Sequence, residues 1–216
     1  MLGLAPEGSR LSRLLCLGAH SDDIEIGCGG TVLKLLERDA DLHVDWVVLS
    51  AEGERADEAR AGAARFLERA KSARVDVRAF EERYFPYRGA AIKRFFDELG
   101  GSLAPDLVFT HRLADRHQDH HLVAELTWNT FRDQLILEYE IPKYEGDLGQ
   151  PNVFVHLERD TAQRKVDAIR ETFASQRGRH WFSEETFWST LRLRGIESRA
   201  PSGYAEAFSG PKLVLA

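Results

Sequence analysis

Sulfur is scarce in this chain: its 216 residues include two cysteines, Cys16 and Cys28, and one methionine. Two cysteines cannot build a disulfide framework, so a reducing cytoplasm is the expected compartment. Long apolar runs are missing as well. No stretch approaches the ~20 residues that a membrane-spanning helix requires. The segment from Met1 to Glu7 lacks a basic stretch followed by an apolar one, so no secretory signal is expected. Basic charge is in short supply: 29 Lys and Arg against 35 Asp and Glu leave a net charge of −6. A protein that lives on nucleic acid or an anionic membrane needs a basic face, and that class is excluded. Internal repeats and low-complexity tracts are absent too. What remains, at 43% hydrophobic and 30% charged residues, is an enzyme or a small-molecule binder.

The apolar pattern alternates between two periods. Arg10 to Ala19 reads as a short strand, buried on both faces as in a parallel sheet. Leu42 to Ser50, Val75 to Phe80 and Asp106 to Thr110 read the same way. Helical spacing appears from Gly29 to Arg38, Arg55 to Ala70, Ala90 to Leu99 (stopped by Gly100-Gly101) and Gln118 to Arg132. This alternation predicts βαβ units, hence an α/β fold: a Rossmann-like, mostly parallel sheet with flanking helices. After Arg132 the pattern changes. Gln134 to Ile141 and Asn152 to Leu157 look extended, Thr161 to Phe173 and Glu184 to Arg194 look helical, and Ser198 to Ala216 looks turn-rich with a short apolar end at Leu213-Val214-Leu215. No linker argues for a second domain. The expectation is one domain over 1–216, with a core over 1–132 and a substrate-side extension over 133–216.

Chemistry concentrates after two strands, where open parallel sheets place their sites. The first cluster is His20-Ser21-Asp22-Asp23-Ile24-Glu25. His20 and Asp23, three apart, could chelate one metal if the chain turns helically; an aspartate here could equally cap the following helix. The glycines of Gly27-Cys28-Gly29-Gly30 come too late for a dinucleotide fingerprint and are read as letting the helix pack close to the sheet. The second cluster runs from His111 to His121 and holds four of the eight histidines. If strands one and four are neighbours, His20, Asp23 and one of these histidines meet. Two histidines and one carboxylate with open positions suit a catalytic zinc. Asp22 could then take a proton from water activated there, and Asp119 could orient His117.

These residues resemble a known family. Ala19-His20-Ser21-Asp22-Asp23-Ile24-Glu25 resembles the Ala-His-Pro-Asp-Asp-Glu signature of the PIG-L/LmbE-type zinc-dependent N-acetylglucosaminyl deacetylases. His117-Gln118-Asp119-His120 is similar to their His-x-Asp-His motif. Glu52-Gly53-Glu54-Arg55 with Glu58, Ser175-Gln176, and Tyr204 to Phe208 resemble further segments in the family's order. The resemblance implies an LmbE-like three-layer α/β/α fold and Zn2+ held by His20, Asp23 and His120. It implies Asp22 as general base, His117 as an imidazolium serving the oxyanion or the leaving amine, Asp119 supporting His117, and Arg55 contacting substrate. Ser21 stands where the family has proline. Ile24 shifts Glu25 by one position, so Glu25 is expected to face solvent or cap the helix. Of four tryptophans, Trp181 is the candidate for stacking on a sugar ring.

The function expected is therefore removal of acetate from an N-acetylated aminosugar by a metal-dependent amidohydrolase. The partner expected is that small-molecule sugar, with a homo-oligomer left open. Two alternatives share the ligand types: a non-haem iron enzyme, and a metal- or sugar-binding module without catalytic power.

Overall fold

The computed structural model describes residues 11–213. The first ten residues and the apolar end at Val214-Leu215 lie outside the described residues. Five strands run parallel: β1 (Arg13–His20), β2 (His43–Ser50), β3 (Ala73–Val77), β4 (Leu107–His111) and β5 (Leu135–Tyr139). Two more, β6 (Val153–Leu157) and β7 (Tyr204–Ser209), extend the sheet antiparallel to their neighbours, giving the order β3-β2-β1-β4-β5-β7-β6. The described residues hold six α-helices: α1 (Asp23–Arg38), α2 (Glu54–Phe66), α3 (Gly89–Ser102), α4 (Gln118–Thr130), α5 (Arg159–Thr172) and α6 (Glu184–Glu197). No helix among the described residues is long and apolar enough to cross a membrane.

Strand β1 shows why the layers form. Leu14 and Cys16 point into a core shared with α1, α2 and α5, while Leu15, Leu17 and Ala19 point into a second core shared with α3 and α4. Period-two alternation with both sets apolar requires a helical layer on each side. The strand order reverses beside β1, which pairs with β2 on one side and β4 on the other. That reversal opens a crevice at the carboxyl ends of β1 and β4, where both motifs lie.

Among the differences from the sequence expectation, three bear on how the elements pack. Helix α1 begins at Asp23, six residues before the expected Gly29, and takes Asp23 and Glu25 into its first turn, where acidic groups suit the helix dipole. Its glycines are there for close approach. A Cβ on Gly27 would stand 2.2 Å from the Tyr139 ring, and one on Gly29 would stand 2.4 Å from Phe66. Gly27→Ala is accordingly expected to cost about 1–3 kcal/mol by overpacking, read as a lower urea midpoint with an unchanged slope. Helix α3 runs through Gly100-Gly101 to Ser102, whose hydroxyl bonds back to the Glu98 carbonyl at 2.8 Å.

The third difference is β7, a strand where turns were expected. Its Glu206 is buried and accepts from the Gly30 and Thr31 backbone N–H groups (2.7 and 2.6 Å), the Thr31 hydroxyl (2.6 Å) and the Lys165 ammonium (2.5 Å). Lys165 also donates to the Ile26 carbonyl at 2.6 Å. This pair stitches β7 to α1 and α5, inserting into the helical ladder between Ile26 and Gly30.

Candidate metal and active site

His20 closes β1, and the chain turns through Ser21-Asp22 straight into α1. The Asp23 carboxylate folds back over this turn: its Oδ2 accepts from the His20 backbone N–H at 2.6 Å and lies 3.3 Å from His20 Nδ1. From β4, His111 brings Nε2 to 3.2 Å from the same oxygen. From the first turn of α4, His120 places Nε2 3.1 Å from His20 Nδ1 and 3.5 Å from Asp23 Oδ1. The two motifs, a hundred residues apart, thus meet as the β1–β4 pairing dictates.

These separations test whether a metal fits. Ligand atoms at the corners of a tetrahedron with bonds of about 2.0–2.1 Å lie about 3.3 Å apart. His20 Nδ1 and His120 Nε2 stand 3.1 Å apart, and Asp23 faces each with a different oxygen, Oδ2 at 3.3 Å from His20 and Oδ1 at 3.5 Å from His120. Two imidazole nitrogens and one carboxylate are suitable donors for a divalent ion. Among the described residues, the donor groups with one atom from each residue mutually close are His20–His117–His120 and Asp23–His111–His120, which between them hold His20, Asp23 and His120.

Asp115, to which sequence reasoning gave no role, supports this centre. Its Oδ2 lies 3.1 Å from His120 Nδ1 and accepts from the Lys143 ammonium at 2.9 Å. A carboxylate on the far nitrogen fixes the ring and its tautomer. Nothing in the spacing singles Asp115 out; only the loop before α4 brings it back onto His120.

Asp119 is placed differently from the expectation. Its carboxylate accepts from the Arg83 and Phe85 backbone N–H groups (2.6 and 3.2 Å) and lies 3.1 Å from His20 Nε2, so it orients His20 rather than His117. The physical reason is helical direction: Asp119, in the first turn of α4, turns its side chain toward the 83–85 loop. Only its backbone N–H reaches His117, whose Nδ1 accepts it at 3.3 Å and caps the helix. An accepting Nδ1 leaves the His117 proton on Nε2, available to the cavity.

Burial opposes the charge on His20, but Asp23 and Asp119 outweigh it and push its pKa up to about 10. Burial and the neighbouring His111 push His120 down to about 3. Burial and the neighbouring His20 also lower the pKa of His117. Burial raises Asp23, yet His120, His111 and His20 together hold it well below the usual carboxylate range. The cluster therefore carries its positive charge on His20, among carboxylates, where a cation would be welcome. Asp22 is pushed up to about 6 by burial and by Asp23, and its Oδ2 is buried without a hydrogen-bond partner.

Glu25 neither faces solvent nor caps the helix. It is fully buried, and neither carboxylate oxygen has a hydrogen-bond partner among the described residues. Burial raises its pKa well above the usual value. A group raised on folding supplies stability that is fully present below its unfolded pKa of about 4.5 and is lost as pH climbs toward the folded value. Glu25→Gln is expected to remove that loss, so variant and wild type should diverge in favour of the variant as pH rises above about 4.5. Urea unfolding across that range checks it.

Around the cluster lies a cavity of about 210 Å³, whose lining includes Asp22, Arg55, Lys143, Tyr144 and Trp181. Arg55 is held by Ser21, whose hydroxyl accepts from Nε and Nη2 (3.1 and 2.9 Å), and by Glu82 at 3.0 Å. Ser21 thus performs a task that the family's proline could not. Trp181 is half-buried, T-shaped against Phe182, and lines this cavity. A larger groove of about 540 Å³ between α1, α2 and α5 is remote from every one of these groups.

A family model described as GlcNAc-PI de-N-acetylase, PIG-L, matches residues 15–131, more than half of the chain. The chain belongs to the PIG-L family. Solved structures place this PIG-L member in the same fold across nearly its whole length. The conserved protein TT1542 from Thermus thermophilus is 20% identical with a TM-score of 0.72, over 96% of this chain and 97% of that one. N,N'-diacetylchitobiose deacetylase from Pyrococcus horikoshii is 19% identical with a TM-score of 0.65, over 92% and 83%. A 4-carboxy-2-hydroxymuconate hydratase from Pseudomonas putida is 19% identical with a TM-score of 0.73, over 95% and 98%. The fold therefore hosts more than one reaction, and the PIG-L site must be read from its own residues.

Proposed function

We propose that this chain is a zinc-dependent hydrolase that removes acetate from an N-acetylated aminosugar. The observation that carries this reading is the convergence of His20, Asp23 and His120 at 3.1–3.5 Å beside the buried, unpartnered oxygen of Asp22. A binding module needs the first three residues but has no use for the fourth.

His20, Asp23 and His120 would hold the metal. When bound, zinc supplies Lewis acidity, which polarises the acyl carbonyl and makes water a stronger acid. Asp22 takes the proton from the attacking water; its raised pKa, about 6, places it near working pH, where a general base is most effective. His117 offers Nε2–H toward the carbonyl oxygen as negative charge develops there. The proton held by Asp22 then passes to the leaving amine. Asp119 keeps His20 oriented, and Asp115 does the same for His120. Arg55 and Trp181 line the space that the sugar ring occupies.

The presence of a hydratase among the structural neighbours is the reason for testing reaction type directly. Acetate release from a panel of N-acetylated aminosugars, with the metal-loaded and the chelated protein, is the test. Acetate appearing only with metal supports the reading; a loaded protein silent across the panel overturns it.

A further inference from the structure

Residues 140–152 connect β5 to β6 without helix or strand, a long run for a compact domain. Its first part, from Ile141 to Glu145, is one wall of the cavity over the His/Asp centre. Having no ladder of its own, this wall has to be held by side chains. Lys143 does most of the holding. Its ammonium donates to Asp115 Oδ2 (2.9 Å), Asp147 Oδ1 (2.7 Å) and the Ile141 carbonyl (3.4 Å), which fills all three donor positions. A lysine on a cavity wall ordinarily extends its charge into water. This one is 10% exposed, between carboxylates that are 3% and 6% exposed.

The next residues of the wall are tied to the same place. Asp147 accepts from the Arg116 backbone N–H through its carboxylate (2.7 Å) and from the Arg112 guanidinium through its carbonyl (2.6 Å). Arg116 also donates to the Glu145 carbonyl at 3.3 Å. These partners belong to the 112–117 loop that leads into α4, and Asp115 is the junction. Its Oδ1 accepts from the His117 backbone N–H at 2.8 Å, and its Oδ2 is shared between Lys143 Nζ and His120 Nδ1. One carboxylate oxygen therefore separates the metal-ligand candidate His120 from the cavity wall. An imidazole that gives Nε2 to a metal carries its proton on Nδ1, where it donates to Asp115. With the site empty, the proton of the neutral ring can sit on Nε2, which faces Asp23 Oδ1 at 3.5 Å. Nδ1 then turns a lone pair on the Asp115 carboxylate and repels it, and Lys143 follows the carboxylate.

We propose that Lys143 is a positioning residue that couples metal occupancy at His120 to the order of the 141–149 wall, so that the substrate side of the cavity is fully formed only when the metal site is filled. The coupling rests on His120 as a metal ligand, as in the hydrolase reading, and its own test needs no turnover. Linkage fixes its symmetry: whatever factor in affinity the metal gains from a closed wall, the wall gains in closure from the metal.

The experiment pairs calorimetric zinc binding with hydrogen exchange of the Arg116 backbone N–H, read by NMR on zinc-free and zinc-loaded protein. That N–H is bonded across to Asp147, so its exchange reports how often the wall lifts. Zinc is expected to slow it about tenfold in the wild type, within the usual range for coupled sites. In Lys143→Met the Arg116 N–H should exchange rapidly with or without zinc. The zinc Kd of that variant should rise by the same factor of about ten, a normal loss for a group behind a metal ligand. Asp147→Asn keeps an acceptor for Arg116, touches neither Asp115 nor His120, and loses the charge that Lys143 grips. It should show both effects in smaller measure, and it serves where Lys143→Met does not fold. A merely structural lysine would loosen the wall equally in both states and leave the zinc Kd unchanged; that result overturns the coupling. A wild type that binds no zinc defeats the metal site and the coupling together. Absence of acetate release with the matched factors intact defeats the hydrolase reading and spares the coupling.

Discussion

Asp22→Asn is expected to lower turnover by about 10²–10⁴-fold, the usual contribution of a positioned general base, with the metal content unchanged. The two consequences separate because Asp22 and Asp23 are adjacent in sequence and opposed in task. Asp23 faces three imidazoles and is held ionised by them. Asp22 has one ion pair among the described residues, with Arg55 at 3.8 Å, and its Oδ2 has no hydrogen-bond partner among them. Asparagine matches its shape and cannot accept a proton. Acetate release and metal analysis on one preparation check both halves. Loss of metal would make Asp22 a ligand, and undiminished turnover would remove it from the chemistry.

Glu206→Ala is expected to cost about 3–5 kcal/mol, the typical penalty for stripping one partner from a buried ion pair. The change leaves the Lys165 ammonium buried with the Ile26 carbonyl as its remaining partner, and it orphans the Gly30 and Thr31 N–H groups. The double variant Lys165→Met/Glu206→Leu should recover part of the loss, since no unpaired charge remains. Urea unfolding of wild type, Lys165→Met, Glu206→Leu and the double variant closes the cycle. A double variant no better than the sum of the singles would show that the two groups are not coupled.

The parallel core was legible because its strands announce themselves. Leu14 to Leu17 is an unbroken apolar run, and only a doubly covered strand uses such a run efficiently. β7 was not legible, and Glu206 explains why. A carboxylate at an inward position breaks the alternation of a strand, and its partner Lys165 is 41 residues away on another element. The start of α1 was hidden in the same manner: glycines weaken any helical reading, yet Gly27 and Gly29 are required there by Tyr139 and Phe66. The histidines and aspartates of the centre stood out by crowding and by motif. Which neighbour each one holds did not, because Asp119 on His20 and Asp115 on His120 depend on loop paths that periodicity does not encode.

The position of β7 also bears on how the molecule comes together. It is the last strand among the described residues, yet it lies between β5 and β6, and β6 has no other neighbour among them in the sheet. During synthesis, β6 must therefore wait, unpaired, for some fifty residues that have yet to emerge. Such late, long-range closure is slow and leaves an open edge for other chains to find. Catalytic competence should thus arrive abruptly, as one of the last events of folding, rather than grow with the length of the nascent polypeptide.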